Sequence, residues 1–477
     1  MNKFIGRRNE LTLLTALHKR PPATFVIIQG RRRIGKSRLV EEFARDKPFY
    51  PFIGLAPVAG ITAQQQREEF ARKLKEYFGL PGLKADDWGD LLSLLAKQIK
   101  HTKGAIVLLD EISWMGHDDF TFLPKLKNAW DTQLKQCEHL MLVACGSVSS
   151  WIEENMLSST EFIGRITQRI FLKELTLSEC NEFWGPYKDN ISAFEKFTYL
   201  NISGGVPLYL EVMNPTLSAQ ENIRQLAFIP GSLFLKEFNR IFIDLFGRKN
   251  EIYEKIIRAL VTGSKELSEL AVALNTKTSG WLSTRTEELI AAGFITRDYT
   301  WHIATGEDSK LSKYRLHDNY LRFYLKFLEK NKNKIERGSF VLQSLNELEN
   351  WSTIAGLQFE NLVIHNRDVI KTLLSIDHAD VVTDNPFFQR PTTKQKGCQI
   401  DYLIQTKFNC LYLCEIKFSK RSLDASIIDE VKTKMMHLNK PKGFSCRPVL
   451  IHVNGVSAEV IESQFFSHII NFSECLT

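Results

Sequence analysis

Cysteine is sparse and poorly placed for cross-linking: there are eight in 477 residues, and no two form a Cys-x-x-Cys pair. That excludes a small disulfide scaffold and argues against a structural zinc site. Cys410 and Cys414 share one face of the strand-like run CLYLC and read as small buried hydrophobes. No apolar run approaches the roughly 20 residues that cross a bilayer, so no membrane partner is expected. The first residues, MNKFIGRRNEL, are charged and periodic rather than signal-like. There is no internal repeat, no low-complexity tract and no strong charge bias, with 62 Lys and Arg against 55 Asp and Glu, net +7. What is present is ordinary globular material, 44% hydrophobic and 25% charged, which rules out a disordered or collagen-like chain. A reduced, cytoplasmic protein is expected. The mild positive excess permits a nucleic-acid partner without demanding one.

At about 150 residues per domain, the length suggests roughly three domains. The first third carries continuous apolar runs at residues 24–30, 105–111 and 139–147, separated by amphipathic stretches. Such runs suit parallel strands buried on both faces, the pattern of a doubly wound α/β domain. From 176 to 246 the pattern turns helical, with SGGVP at 203–207 reading as a helix start. Residues 247–328 have the shape of a helix-turn-helix closed by Gly293 and followed by two wing strands. The basic stretch 329–339 reads as a linker. Residues 340–477 read as a separate α/β domain, with helix, strand, strand, helix and strand.

Gly30-Arg31-Arg32-Arg33-Ile34-Gly35-Lys36-Ser37 fits the pattern GxxxxGK[ST], directly after one apolar strand and before a helical SRLVEEFAR. Glycines let backbone wrap phosphates, and successive N–H groups with a helix N-terminus stabilise the anion. Gly30, Arg33, Ile34 and Gly35, with Arg38 just beyond, would line the cradle. Lys36 would reach the β- and γ-phosphates of ATP, and the Ser37 hydroxyl would hold Mg²⁺. The second apolar strand ends in Asp110-Glu111. Asp110 would coordinate Mg²⁺ and Glu111 would polarise the attacking water.

With these residues in view, the chain resembles the AAA+/STAND-type ATPases first described as archaeal ATPases. The resemblance rests on FIGRRNEL at 4–11, GRRRIGKS, LLDEISWM, CGSVSSW, FIGRITQRI and GGVPLYL, in order across residues 1–235. It implies a P-loop ATPase core over 1–175 and a helical lid over 176–246. It implies that Gly6 and Arg7 lie near the adenine and that Ser147 is the sensor polar residue near the γ-phosphate. Arg165 stands in the GR motif, where an arginine reaches phosphate from the same or a neighbouring subunit, which leaves a homo-oligomer open. The resemblance continues through YRLHDNYLRFYLKFL at 314–328, so the 247–328 unit is expected to be a winged helix. Its candidate reading helix, 278–292, offers Arg285 but also Glu287 and Glu288, which is weak for base readout and leaves an interdomain packing role open.

A second centre lies near the C-terminal end. Asp401 sits in QIDYLI, and thirteen residues separate it from Glu415 in LCEIKF. Glu415 and Lys417 alternate by two, so both point to one face of a strand. Burying two carboxylates and an ammonium together is costly unless they bind metal or one another. Asp401 and Glu415 would hold Mg²⁺, and Lys417 would orient or deprotonate water. Glu-x-Lys alone arises about twice by chance in a chain this long. It recurs at Glu430-Val431-Lys432, on an expected helix where the two side chains diverge. The hairpin context is what lifts the first copy, and the segment resembles the PD-(D/E)xK restriction-endonuclease-like fold. In that resemblance Glu360 supplies another acid from the first core helix.

The joint expectation is an ATPase controlling a Mg²⁺-dependent nuclease that acts on DNA, an architecture compatible with defence against foreign DNA. Lys394, Lys396, Lys420, Lys432 and Lys434 would attract the phosphodiester backbone. The alternative is an ATP-driven switch or scaffold whose nuclease-like domain only binds DNA or a partner.

Overall fold

The computed structural model describes residues 4–56, 61–80, 82–116, 118–147, 149–246, 250–393 and 395–476. They form two compact units. The first comprises Met1–Leu175 with Arg240–Asn250 and Ala291–Gly293, and the second comprises Thr176–Asn239, Glu251–Ile290 and Phe294–Thr477.

The first unit is built on five strands, β1 (Thr24–Gln29), β2 (Phe49–Ile53), β3 (Ile106–Asp110), β4 (Met141–Gly146) and β5 (Gln168–Phe171). They run parallel in the order β2-β3-β4-β1-β5. The three continuous apolar runs become the three central strands, and every residue of β1, β3 and β4 is buried. Helices cover both faces, as a parallel sheet requires. The edge strands β2 and β5 lacked a sequence signal because they are short and partly exposed, and Pro51 sits in β2 where an edge tolerates it.

The second unit holds two sheets. An antiparallel hairpin joins β6 (Ile295–Trp301) to β7 (Asp308–Leu316), at the positions read as wing strands. A five-stranded mixed sheet follows, from β8 (Val381–Gln389), β9 (Cys398–Thr406), β10 (Cys410–Ile416), β11 (Ser445–His452) and β12 (His468–Asn471), ordered β12-β11-β10-β9-β8. β9 pairs antiparallel with β8 and β10, whereas β10, β11 and β12 run parallel. The hairpin is docked on this sheet: the Trp301 indole donates to Gln405 Oε1 at 2.6 Å, and Gln405 Nε2 donates to the Ile303 carbonyl at 2.9 Å. The helical 176–239 segment packs here too, with Phe194 stacked on Phe418 at 4.8 Å and Asn181 donating to the Leu476 carbonyl. Helix Pro207–Glu211 begins where SGGVP placed it, with proline in its first turn.

Two differences from the sequence reading stand out. The stretch 329–339 is not an extended linker: Glu329–Asn331 and Lys332–Glu336 are helical, and Ile335 is fully buried. Ile335 anchors the stretch together with the Arg258–Glu329 and Lys330–Glu349 ion pairs. Strand β8 was missed because VVTDNPFFQ carries Asp384, Asn385 and Pro386; it is an edge strand, and its register slips at the proline.

Candidate functional site

Because β4 lies between β1 and β3, the carboxyl ends of three neighbouring strands meet at one edge of the first sheet. That edge is where open α/β sheets bind ligands. The turn after β1 requires glycine at Gly30: its φ is +148°, and a Cβ there would lie 2.5 Å from the Leu172 carbonyl oxygen. Arg33 and Gly35 also take positive φ, and Gly35 caps the helix Lys36–Phe43. Ile34 is fully buried beneath the loop, and Arg38 is on the outgoing helix. Gly6 and Arg7 both have positive φ. The buried Arg7 guanidinium donates to the Ile34 carbonyl at 3.1 Å and the Lys173 carbonyl at 2.7 Å, so it braces the loop from behind.

The Lys36 ammonium donates to the carbonyls of Gly30 (3.0 Å) and Arg31 (3.2 Å), lying across the mouth of the loop. Burial lowers its pKa, against the opposing charges of Glu111 and Asp110. The Ser37 hydroxyl donates to Asp110 Oδ2 at 2.6 Å. Burial raises the Asp110 carboxyl, partly offset by that hydroxyl. A hydroxyl and a carboxylate this close offer hard oxygens that fit Mg²⁺. Glu111 adopts φ +50°, an unfavourable backbone for a non-glycine residue. Its carboxylate accepts from the Ser147 hydroxyl at 2.9 Å and the Ser147 N–H at 3.2 Å. Lys36, Ser37, Asp110, Glu111 and Ser147 therefore form one connected group. Arg165 is engaged elsewhere, held by Asp131 through contacts of 2.8–3.0 Å.

In the second unit, β9 and β10 pair as far as Tyr402 and Cys414, so the next positions, Asp401 and Glu415, fall opposite one another on the face of Leu403 and Leu413. Glu415 is only 1% exposed. Asp401 Oδ2 accepts the Ile416 N–H at 2.9 Å, and Glu415 Oε1 pairs with Lys417 at 3.1 Å. Helix Ser426–His437 covers this face and supplies two residues that the sequence reading had not put in the site. Glu430 holds Lys417 at 2.9 Å, and the Lys434 ammonium lies 2.5 Å from Glu415 Oε2 and 3.5 Å from Asp401 Oδ1. Lys434 is among the lysines expected to attract a phosphodiester backbone and Glu430 opens the second Glu-x-Lys, but only their spacing, four residues apart on one helix face, hints that they act together.

Desolvation and the Asp401 charge raise the Glu415 pKa, with Lys434 and Lys417 opposing. Burial opposes the charge on both lysines, yet the facing carboxylates outweigh it and raise their pKa values. Glu360, on helix Trp351–His365, belongs to the same electrostatic group: desolvation and Asp401 push its carboxyl up to about 8, against the pull of Arg322 and Arg315. The donor set, a buried Glu415 carboxylate beside the partly buried Asp401 carboxylate, offers hard oxygens that fit a divalent cation.

The remaining candidates are peripheral. Lys396 and Lys420 are exposed, and Lys432 faces Asp429 and the Phe465 ring. Lys394 lies outside the described residues. Arg285 donates to Glu288 at 2.7 Å and to the Tyr253 hydroxyl at 2.9 Å, so the one basic residue of the candidate reading helix is tied down.

Comparison with known proteins fits the first centre. Residues 4–213 match the family described as "ATPase domain predominantly from Archaea". An uncharacterised protein of Methanocaldococcus jannaschii is 23% identical over 367 residues, covering 75% of this chain and 76% of that protein. Among solved structures, the Walker-type ATPase of Pyrococcus abyssi has 17% identity and a TM-score of 0.50, covering 68% of this chain and 96% of that one. The ORC2 protein of Aeropyrum pernix, solved as ADPNP–ADP complexes, has 14% identity, a TM-score of 0.39, and coverage of 71% and 96%. The chain carries an archaeal-type P-loop ATPase domain with a parallel five-stranded sheet, followed by a mixed-sheet region. Among the described residues, no helix is long and apolar enough to cross a membrane.

Proposed function

We propose that this chain is an ATPase whose nucleotide state controls a Mg²⁺-dependent phosphodiesterase acting on DNA. The observation that carries the second half is the Asp401–Glu415–Lys417 group, with Asp401 on β9, Glu415 on the neighbouring β10 and Lys417 just beyond it, and with Glu415 almost wholly buried. A protein seldom buries such charges without a use for them.

At the phosphate loop, the 30–37 backbone would wrap the phosphates, Lys36 would leave the Gly30 and Arg31 carbonyls for the β- and γ-phosphates, and Ser37 and Asp110 would hold Mg²⁺. Glu111 orients the attacking water, and its tether to Ser147 ties that orientation to the end of β4. Gly6 would lie near the adenine, with Arg7 acting through the loop it braces, and Arg165 is available to a phosphate only after leaving Asp131. In the second centre Asp401 and Glu415 would hold Mg²⁺, which when bound supplies Lewis-acid stabilisation of the charged phosphoryl oxygens. Lys417 orients the water, with Glu430 fixing its position. The 247–328 segment with its hairpin is a winged-helix module serving packing rather than base readout, consistent with the engaged Arg285.

One observation favours a second reading. The carboxylates are already neutralised by Lys417 and Lys434, as an ion-paired scaffold retaining no catalysis would have them. Circular and linear DNA incubated with Mg²⁺, with and without ATP, separates the two readings. Cutting by wild type that vanishes in Glu415→Ala establishes the nuclease. No cutting in any nucleotide state, with ATP hydrolysis intact, establishes the switch or scaffold.

A further inference from the structure

The oxygens of Asp401 and Glu415 divide into two pairs. Asp401 Oδ2 is fixed by the Ile416 N–H and Glu415 Oε1 by Lys417. The other two, Asp401 Oδ1 and Glu415 Oε2, are the ones a metal ion would share. Both are bridged by a single atom, the Lys434 ammonium nitrogen, at 3.5 and 2.5 Å. The seat of a divalent cation is thus taken by a cation of the chain itself, and the two cannot occupy it together.

Lys434 is built to leave. Its side chain is 26% exposed, whereas Glu415 is 1% exposed. The helix that carries it is anchored through Ile427, Ile428 and Val431, so the four-carbon stem can swing while the helix stays. Lysine is a compact point charge on a flexible stem, suited to exchanging one anionic partner for another. Glu430, one turn earlier, stays on Lys417 and keeps the water-orienting lysine in place during the exchange.

We propose that Lys434 is an internal counter-cation that closes the Asp401–Glu415 seat to divalent ions until a phosphodiester of the nucleic-acid substrate draws its ammonium away. The inference rests on the nuclease reading above and deepens it. Metal and substrate then bind with positive coupling. By linkage, each tightens the other by the same factor.

The test is Mn²⁺ binding to the full chain without nucleotide, followed by loss of the free-ion paramagnetic resonance signal. The relevant event is the one that Glu415→Ala removes, which separates it from the phosphate-loop site. Lys434→Met is expected to bind Mn²⁺ at least about tenfold more tightly than wild type, and Lys434→Arg like wild type. A phosphorothioate duplex should tighten Mn²⁺ binding in wild type and leave Lys434→Met unchanged; the wild-type arm needs no variant to fold. Equal or weaker Mn²⁺ binding in Lys434→Met, or no effect of the duplex on wild type, overturns the counter-cation while leaving the metal site standing. The absence of any Mn²⁺ event sensitive to Glu415→Ala overturns the metal-site reading and the inference with it.

Discussion

Glu360 holds its proton far more tightly in the folded chain than in the unfolded one, because burial and the Asp401 charge penalise its carboxylate. Its pKa rises from the ordinary 4.5 to about 8. Between those values the folded state binds more protons than the unfolded state, so stability falls as pH rises through the window, by at most about 1.4 kcal/mol per pH unit for one group. Glu415 shifts in the same direction and adds to the slope. The raised lysines give up their contribution only at more alkaline pH, outside this window. Thermal unfolding of the metal-free protein should therefore show a melting temperature that declines from pH 5 to 8, with a shallower decline in Glu360→Gln. An identical slope in the variant would assign the titration to other groups. Asp401, Glu415 and Lys417 could be read from sequence because strand alternation fixes which side chains share a face. Lys434 could not: its spacing from Glu430 defines a helix face, but only the packing of that helix says that the face looks at Glu415.

Elements show the same division between local pattern and distant partner. The β6–β7 hairpin is written in its own residues, but its seat is not, since the contact that anchors it joins Trp301 to a side chain 104 residues away. Both Trp301 and Gln405 are buried. Replacing Gln405 by Leu leaves the indole N–H and the Ile303 carbonyl without this partner, each worth about 1–3 kcal/mol when buried and unsatisfied. A loss of about 2–4 kcal/mol is expected from urea denaturation, with ATP hydrolysis in the other unit unchanged. A loss below about 0.5 kcal/mol would mean that water replaces the amide and that the hairpin is seated by apolar contacts alone. Edge strands were the least legible elements for a related reason. β1, β3 and β4 are buried on both faces and read as continuous apolar runs, whereas β2, β5 and β8 lie at sheet edges, partly exposed, where Pro51, Arg169 and the Asp384-Asn385-Pro386 run hide the strand pattern.

Across the whole molecule, two clusters of charged residues lie in separate units, one in the region matching an ATPase family and the other assembled around Asp401 and Glu415. If nucleotide governs cleavage, the control is a coupling free energy, and it must act in both directions. Glu415→Ala provides the means to measure it, because a protein that binds DNA without cutting it can be studied at equilibrium. In that background, DNA should change the affinity for a non-hydrolysable ATP analogue by the same factor by which the analogue changes affinity for DNA. Coupling energies of 1–3 kcal/mol are typical, so a factor between about 5 and 150 is expected. Lys36→Ala removes the ammonium that lies across the loop mouth, and should abolish analogue binding and the nucleotide dependence of DNA affinity together, while the fold of the second unit is kept. DNA that leaves analogue affinity unchanged would mean that the two centres operate independently, and that the ATPase serves assembly or localisation rather than licensing the cut.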